Sequence, residues 1–178
     1  MSQQQQFIWK VREWAVSQLG LLGVALVGSC ARGTEHEDSD IDLVLITRNP
    51  TWWLETDEWL SRFGAVRTIE LEDYGLVQSR RVRYENGIEV EFGITTDEWL
   101  NTVRIDEGSR CVMSDGHRIF DDKAGLFSTF LAVLKRQLNK EEAGQRCCRQ
   151  GSDSRTRQVG DAVHQKAFDG WQTPFAFG

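Results

Sequence analysis

Two short clusters carry the side chains that could do chemistry. Gly28-Ser29 closes a hydrophobic run, and after ten intervening residues Asp40-Ile41-Asp42 leads into another. A glycine lets the backbone come close to an anion, and a helical turn after it would aim free N–H groups and the Ser29 hydroxyl at a phosphate. On a strand, Asp40 and Asp42 would project from one side about 6–7 Å apart, with Ile41, Leu43 and Leu45 pointing the other way into a core. Two crowded carboxylates raise each other's pKa unless a cation lies between them, and Mg²⁺ takes carboxylate, water and phosphate oxygens together. Each half has an ordinary reading, Ser29 as a helix N-cap and the acids as a solvated strand end. At this spacing the two together read as a metal-assisted nucleotide site.

Competing motifs fail on specific letters. Gly28 to Gly33 satisfies G-x-x-x-x-G, but Thr34 stands where a P-loop needs lysine. Asp38, Asp40 and Asp42 start like a calcium loop, yet Leu43 replaces its glycine and Asn49 its closing glutamate. A sugar-nucleotide transferase could use the two aspartates but leaves the glycine-serine turn unexplained. Arg32 is near enough to that turn to neutralise phosphate, or is a solvated surface arginine. His36, His117 and His164 stand apart without ligand-like spacing.

The elements that must hold these residues follow from periodicity. After a glutamine run taken as a loose end, Phe7, Val11, Trp14 and Ala15 predict an amphipathic helix ending near Gly20. Leu21 to Val27 and Ile41 to Ile46 read as strands, with 33 to 39 a loop or short helix between them. Residues 51 to 63 predict a helix capped by Thr51 that buries Trp52, Trp59, Leu60 and Phe63 and stops at Gly64. Ala65 to Leu71 is a further strand, and Leu76 to Tyr84 pairs with Ile88 to Ile94 across Asn86-Gly87, a strong hairpin turn. Arg80, Arg81 and Arg83 read as a solvated face of that hairpin. Thr96 or Asp97 caps a short helix, Asp115-Gly116 marks a turn, and Lys123 to Leu138 forms a last helix. Residues 139 to 178 show no period and read as an irregular or partly disordered tail on a domain spanning 1–138.

VGSCARG followed by DSDIDL resembles the motif of the nucleotidyltransferase superfamily related to DNA polymerase β, in its small single-domain members. The likeness is good over residues 24–46 and looser in element order to about 138. It implies an α/β fold, α+β in detail, with a mixed twisted sheet flanked by helices, and a third carboxylate on a later strand. Glu91 in Val90-Glu91-Phe92 fits and Glu89 is the alternative; strand alternation puts both on one face. The resemblance further implies a two-metal transfer, with Mg²⁺ held by Asp40, Asp42 and Glu91 and an NTP, ATP in this reading, bound at Gly28, Ser29 and Arg32. A nucleoside monophosphate, AMP here, would pass to a hydroxyl of a small molecule or partner protein with loss of pyrophosphate. Antibiotic-modifying members usually add a helical domain for the acceptor, which tilts this chain toward a protein acceptor. The second reading is a non-catalytic nucleotide- or partner-binding module on the same fold.

Bulk properties bound these readings. The 178 residues suit one domain, and 27 acids against 21 bases give a net charge of −6, so a long nucleic acid is not expected as partner. Cys30, Cys111, Cys147 and Cys148 form no pair of CxxC half-sites, the N-terminus lacks a leader pattern, and no apolar run reaches membrane-spanning length. A reduced, cytoplasmic protein is expected. The seven tryptophans are scattered and read as core.

Overall fold

Alternate residues of successive strands, among them Leu43, Leu45, Val90 and Phe92, carry one face of a sheet into an aromatic layer, while Ala25, Val44 and Ile46 at the positions between are buried as well. The computed structural model describes residues 1–36 and 39–150, with side chains as far as residue 140. The chain divides into two units, Met1–Arg136 and Gln137–Gly178.

Strands β1 (Leu21–Val27), β2 (Ile41–Thr47), β3 (Val66–Asp73), β4 (Val77–Tyr84), β5 (Glu89–Thr95) and β6 (His117–Asp122) form a six-stranded sheet in the order β3-β4-β5-β2-β1-β6. Neighbours run antiparallel except β2 and β5, which are parallel, so the expected mixed α+β sheet is what forms. Ile41, Leu43, Leu45, Val82, Val90 and Phe92 share one core with Phe7, Val11, Trp14, Trp53, Trp59 and Phe63. Rings meet edge-on or stacked at centroid separations such as 5.6 Å for Trp14 and Trp59 and 4.9 Å for Trp59 and Phe92, distances at which aromatic pairs add to plain burial.

Helix α1 is Gln3–Ser17, so the glutamine run is its first turn, not a loose end. Ser2 Oγ accepts from the Gln5 N–H at 3.1 Å while Gln5 Oε1 accepts from the Ser2 N–H at 3.0 Å, a reciprocal cap. Gln4 donates from Nε2 to the carbonyls of Ser39 (2.8 Å) and His36 (3.1 Å), pinning the segment just before Asp40. Helix α2 is the short Gly28–Arg32.

The helix expected over 51–63 is broken. Helix α3 is Pro50–Glu55, flanked by Asn49 rather than capped by Thr51, and a tight turn follows at Leu60–Arg62. An unbroken helix would give the Trp53 carbonyl to the N–H four residues on; here Trp59 Nε1 (3.2 Å) and Arg80 Nη1 (3.2 Å) take it. Trp53, not Trp52, is the buried member of that pair.

Helix α4 (Glu107–Asp115) and β6 have no counterpart in the sequence reading. Only Ser109 and Met113 of α4 are buried, which leaves no stripe to detect. Helix α5 spans Leu126–Gln150, starting on Asp122, which accepts from the N–H groups of Phe127 and Ser128 at 3.1 and 3.0 Å. It runs past Leu138, so residues 139–150 of the irregular tail expected over 139–178 are helical instead, and the rest of that tail, 151–178, lies outside the described residues.

Arg80 is 3% exposed, contrary to the expected solvated face. Its guanidinium reaches the carbonyls of Trp53 and, at 2.8 Å, Thr56, and pairs with Asp57. Arg80→Ala would take the side-chain donor from the Thr56 carbonyl and leave the Trp53 carbonyl with Trp59 Nε1 alone, and we expect a loss of about 2–3 kcal/mol in urea unfolding. A loss no larger than that of the half-exposed Arg83→Ala would contradict this assignment.

Candidate active site

The sheet's alternation separates core from chemistry. Ile41, Leu43, Val90 and Phe92 are buried on the aromatic side, so Asp40, Asp42, Glu89 and Glu91 emerge on the other. The parallel register of β2 and β5 sets Asp42 directly beside Glu91. Glu91 is also the deeper of the two glutamates, its side chain 12% exposed against 24% for Glu89. Glu89 leans outward to Arg83, whose Nε donates to it at 2.8 Å.

The glycine-serine turn is built around Asp42. Gly28 begins α2 with φ +68°, and a Cβ there would collide with Asp42 Oδ2. Gly33, the C-cap of α2 at φ +72°, has open space around it, so the two glycines meet different demands. Between them Cys30 is buried and points its Sγ at the Asp40 carbonyl (3.4 Å). Burial, with help from Glu35 and Asp42, pushes its thiol up to about 11, which makes it packing and not a nucleophile. Arg32 pairs with Asp115 at the end of α4 and lies over Gly116, where a Cβ would come within 2.6 Å of its Cγ.

Arg81 stands at the centre of the acids. Its Nη1 donates to Asp40 at 2.9 Å and to Glu89 at 3.1 Å; its Nη2 donates to Glu91 at 2.6 Å and to Glu72 at 3.3 Å; its Nε reaches Glu72 at 3.1 Å. These ties hold its charge more firmly than usual even though burial opposes it. Neither Arg81's centrality nor Glu72 was foreseen. The available clue was complementary charge on consecutive strands: acids Glu70 and Glu72 on β3 facing Arg81 and Arg83 on β4.

One guanidinium among so many carboxylates leaves a surplus of negative charge. Burial lifts Asp42 from its ordinary 3.8 to about 7, with Glu91 and Asp40 adding to the effect. Asp40 and Glu91 are raised as well, chiefly by burial and despite Arg81. Hard oxygen donors short of positive charge suit a divalent cation such as Mg²⁺. Among the described residues no three or more such side chains already converge as a metal cluster. The Arg81 guanidinium bridges Asp40 and Glu91 instead.

Residues 9–106 match the model of the nucleotidyltransferase domain. That span carries β1 to β5 and every residue of the acid cluster, and the chain belongs to this family. Among solved structures it is similar to an aminoglycoside 6-adenyltransferase from Bacillus subtilis, at 17% identity and a TM-score of 0.44. The alignment covers 56% of this chain and 36% of that one, so the chain spans about a third of that enzyme's length. No curated protein matches the sequence.

Two outcomes test this geometry. Gly28→Ala and Gly33→Ala both impose about 1–2 kcal/mol of left-handed backbone strain, but only Gly28→Ala must also displace Asp42, so it should be clearly the less stable in urea unfolding; equal losses would contradict the contact. In metal-free protein the folded state holds the Asp42 proton up to about pH 7 while the unfolded chain releases it near 3.8, so wild-type stability falls as pH rises across that interval. Asn carries no such proton. The melting temperature of Asp42→Asn relative to wild type should therefore climb from about pH 4 to pH 7 and level off above; a difference independent of pH would refute the buried-acid account.

Proposed function

We propose that this chain transfers a nucleoside monophosphate, AMP from ATP, to a hydroxyl group with release of pyrophosphate. The observation that carries the reading is the register that sets Glu91 beside Asp42, next to a glycine turn whose missing Cβ gives Asp42 its room. Asp40, Asp42 and Glu91 would hold Mg²⁺, two ions in this reading, and Glu91 takes precedence over Glu89 because it faces Asp42 and not Arg83. Bound there, the metal would draw charge from the triphosphate and lower the pKa of the acceptor hydroxyl.

The chain's own groups account for the rest. Gly28 lets the backbone approach the terminal phosphates, and Ser29 offers its hydroxyl and N–H to them. Arg32 is close enough to act on the charge of Asp42, which supports a part in neutralising the same phosphates. The acceptor oxygen attacks the α-phosphorus, the bond to the bridging oxygen breaks, and pyrophosphate leaves. Burial makes Glu91 more basic than a free glutamate, which suits it to receive the hydroxyl proton.

Residues 1–138 would form the transferring domain. The acceptor in this reading is a protein hydroxyl, or a small molecule held with a partner that completes the site. Cys30 and Cys111 are free thiols, in keeping with a reducing, cytoplasmic setting. No helix among the described residues is long and apolar enough to cross a membrane. A non-catalytic nucleotide-binding module is the second reading, and the bridge of Arg81 between Asp40 and Glu91 favours it.

Incubation with Mg²⁺ and each α-labelled NTP, with cell lysate or a panel of small hydroxylated molecules, separates the two. Label on a discrete protein or small molecule is expected, strongest from ATP. NTP binding without label on any acceptor would favour the module. Asp42→Asn should lower transfer at least about 1,000-fold while the protein stays folded, since several kcal/mol of transition-state stabilisation depend on that ligand. Undiminished transfer would sink the assignment.

A further inference from the structure

Arg81 is bound in two different ways to its four carboxylates. On one side, Glu72 grips it with both oxygens, at Nε and Nη2, and is itself fixed by the Tyr74 hydroxyl at 2.5 Å. Glu89 likewise has a second anchor in Arg83. On the other side Arg81 holds Asp40 and Glu91 through single contacts from Nη1 and Nη2. The arginine side chain is 17% exposed, so its charge is poorly screened by water.

A divalent cation drawn to Asp40 and Glu91 would meet this guanidinium at short range, and two like charges cannot share those oxygens without strong repulsion. We propose that Arg81 is an exchangeable counter-cation. In the metal-free protein it holds Asp40 and Glu91 in place against their mutual repulsion. When metal binds it withdraws onto Glu72 and Glu89, which stay behind as its anchorage. Metal affinity is then set by competition with Arg81, and Glu72 tunes that competition from outside the metal-binding set. Arg81 is in this sense a positioning residue. The inference rests on the reading that Asp40 and Glu91 bind the metal.

The test is Mn²⁺ binding, by calorimetry or electron paramagnetic resonance and without nucleotide, together with thermal unfolding with and without metal. Arg81→Met should melt lower than wild type without metal, bind Mn²⁺ about tenfold or more tighter, since charge-assisted hydrogen bonds no longer compete, and show the larger metal-induced rise in melting temperature. Arg81→Lys, keeping the charge but not the fork, should fall between the two. Glu72→Gln weakens the anchorage, so Mn²⁺ should bind severalfold more weakly; this variant decides the question alone if Arg81→Met does not fold. A purely structural Arg81 would lower stability without tightening metal binding, and unchanged or weaker binding in Arg81→Met would overturn the exchange. If wild type binds Mn²⁺ in a manner abolished by Asp42→Asn, that failure leaves the metal site standing. If neither wild type nor Arg81→Met binds Mn²⁺, the metal site falls too. Binding by Arg81→Met alone would support the exchange in its strongest form.

Discussion

The structure turns on one unfavourable act: the parallel pairing of β2 with β5 brings Asp42 against Glu91, with Asp40 and Glu89 close by. Left uncompensated, buried like charges favour protonation or unfolding. Asp42 shows the pressure directly in its rise to about 7. The surrounding features read as responses to it. Gly28 gives up a side chain so that Asp42 has space, and Arg81 spreads five donor contacts over four acids.

What lets the sheet sustain this crowding is the opposite face. The strands that carry the acids also carry Leu43, Val90 and Phe92 into the aromatic layer beneath α1 and α3, and burial of that layer offsets the repulsion above it. Arg80 and Arg81 show the division at the scale of one residue. Being adjacent on β4, they point to opposite faces: Arg80 ties down the broken helix at Trp53 and Thr56, and Arg81 serves the acids. A run of three arginines in a hairpin thus splits into a structural strut and a site cation, which their shared letter conceals.

The parts legible in the sequence are those whose determinants are local. Strands β1 and β2, the Asn86-Gly87 hairpin and the Thr96 cap were readable because periodicity and turn chemistry act within a few residues. Helix α4 and β6 were not, because α4 has no apolar stripe and β6 gains its stability by pairing with a distant β1. The break after α3 escaped for a related reason: the guanidinium that takes the Trp53 carbonyl comes from a residue 27 positions away. At the site, alternation placed Glu89 and Glu91 on one face but could not rank them. Register ranks them, and register between parallel strands is a property of the assembled sheet.

The segment beyond the family match, which ends at residue 106, has a part in the same arrangement. Strand β6 pairs along β1 from Gly23 to Val27, right up to the glycine turn. Asp115 of α4 holds Arg32 from the last position of α2, and Gly116 makes room for that arginine's stem. A five-residue helix has little stability of its own. Its position over Asp42 depends on being clamped at both ends, by β1 on one side and by α4 on the other. The two elements least visible in the sequence therefore brace the turn that is most visible, and the spacing between Gly28 and Asp42 becomes a site only once they are in place.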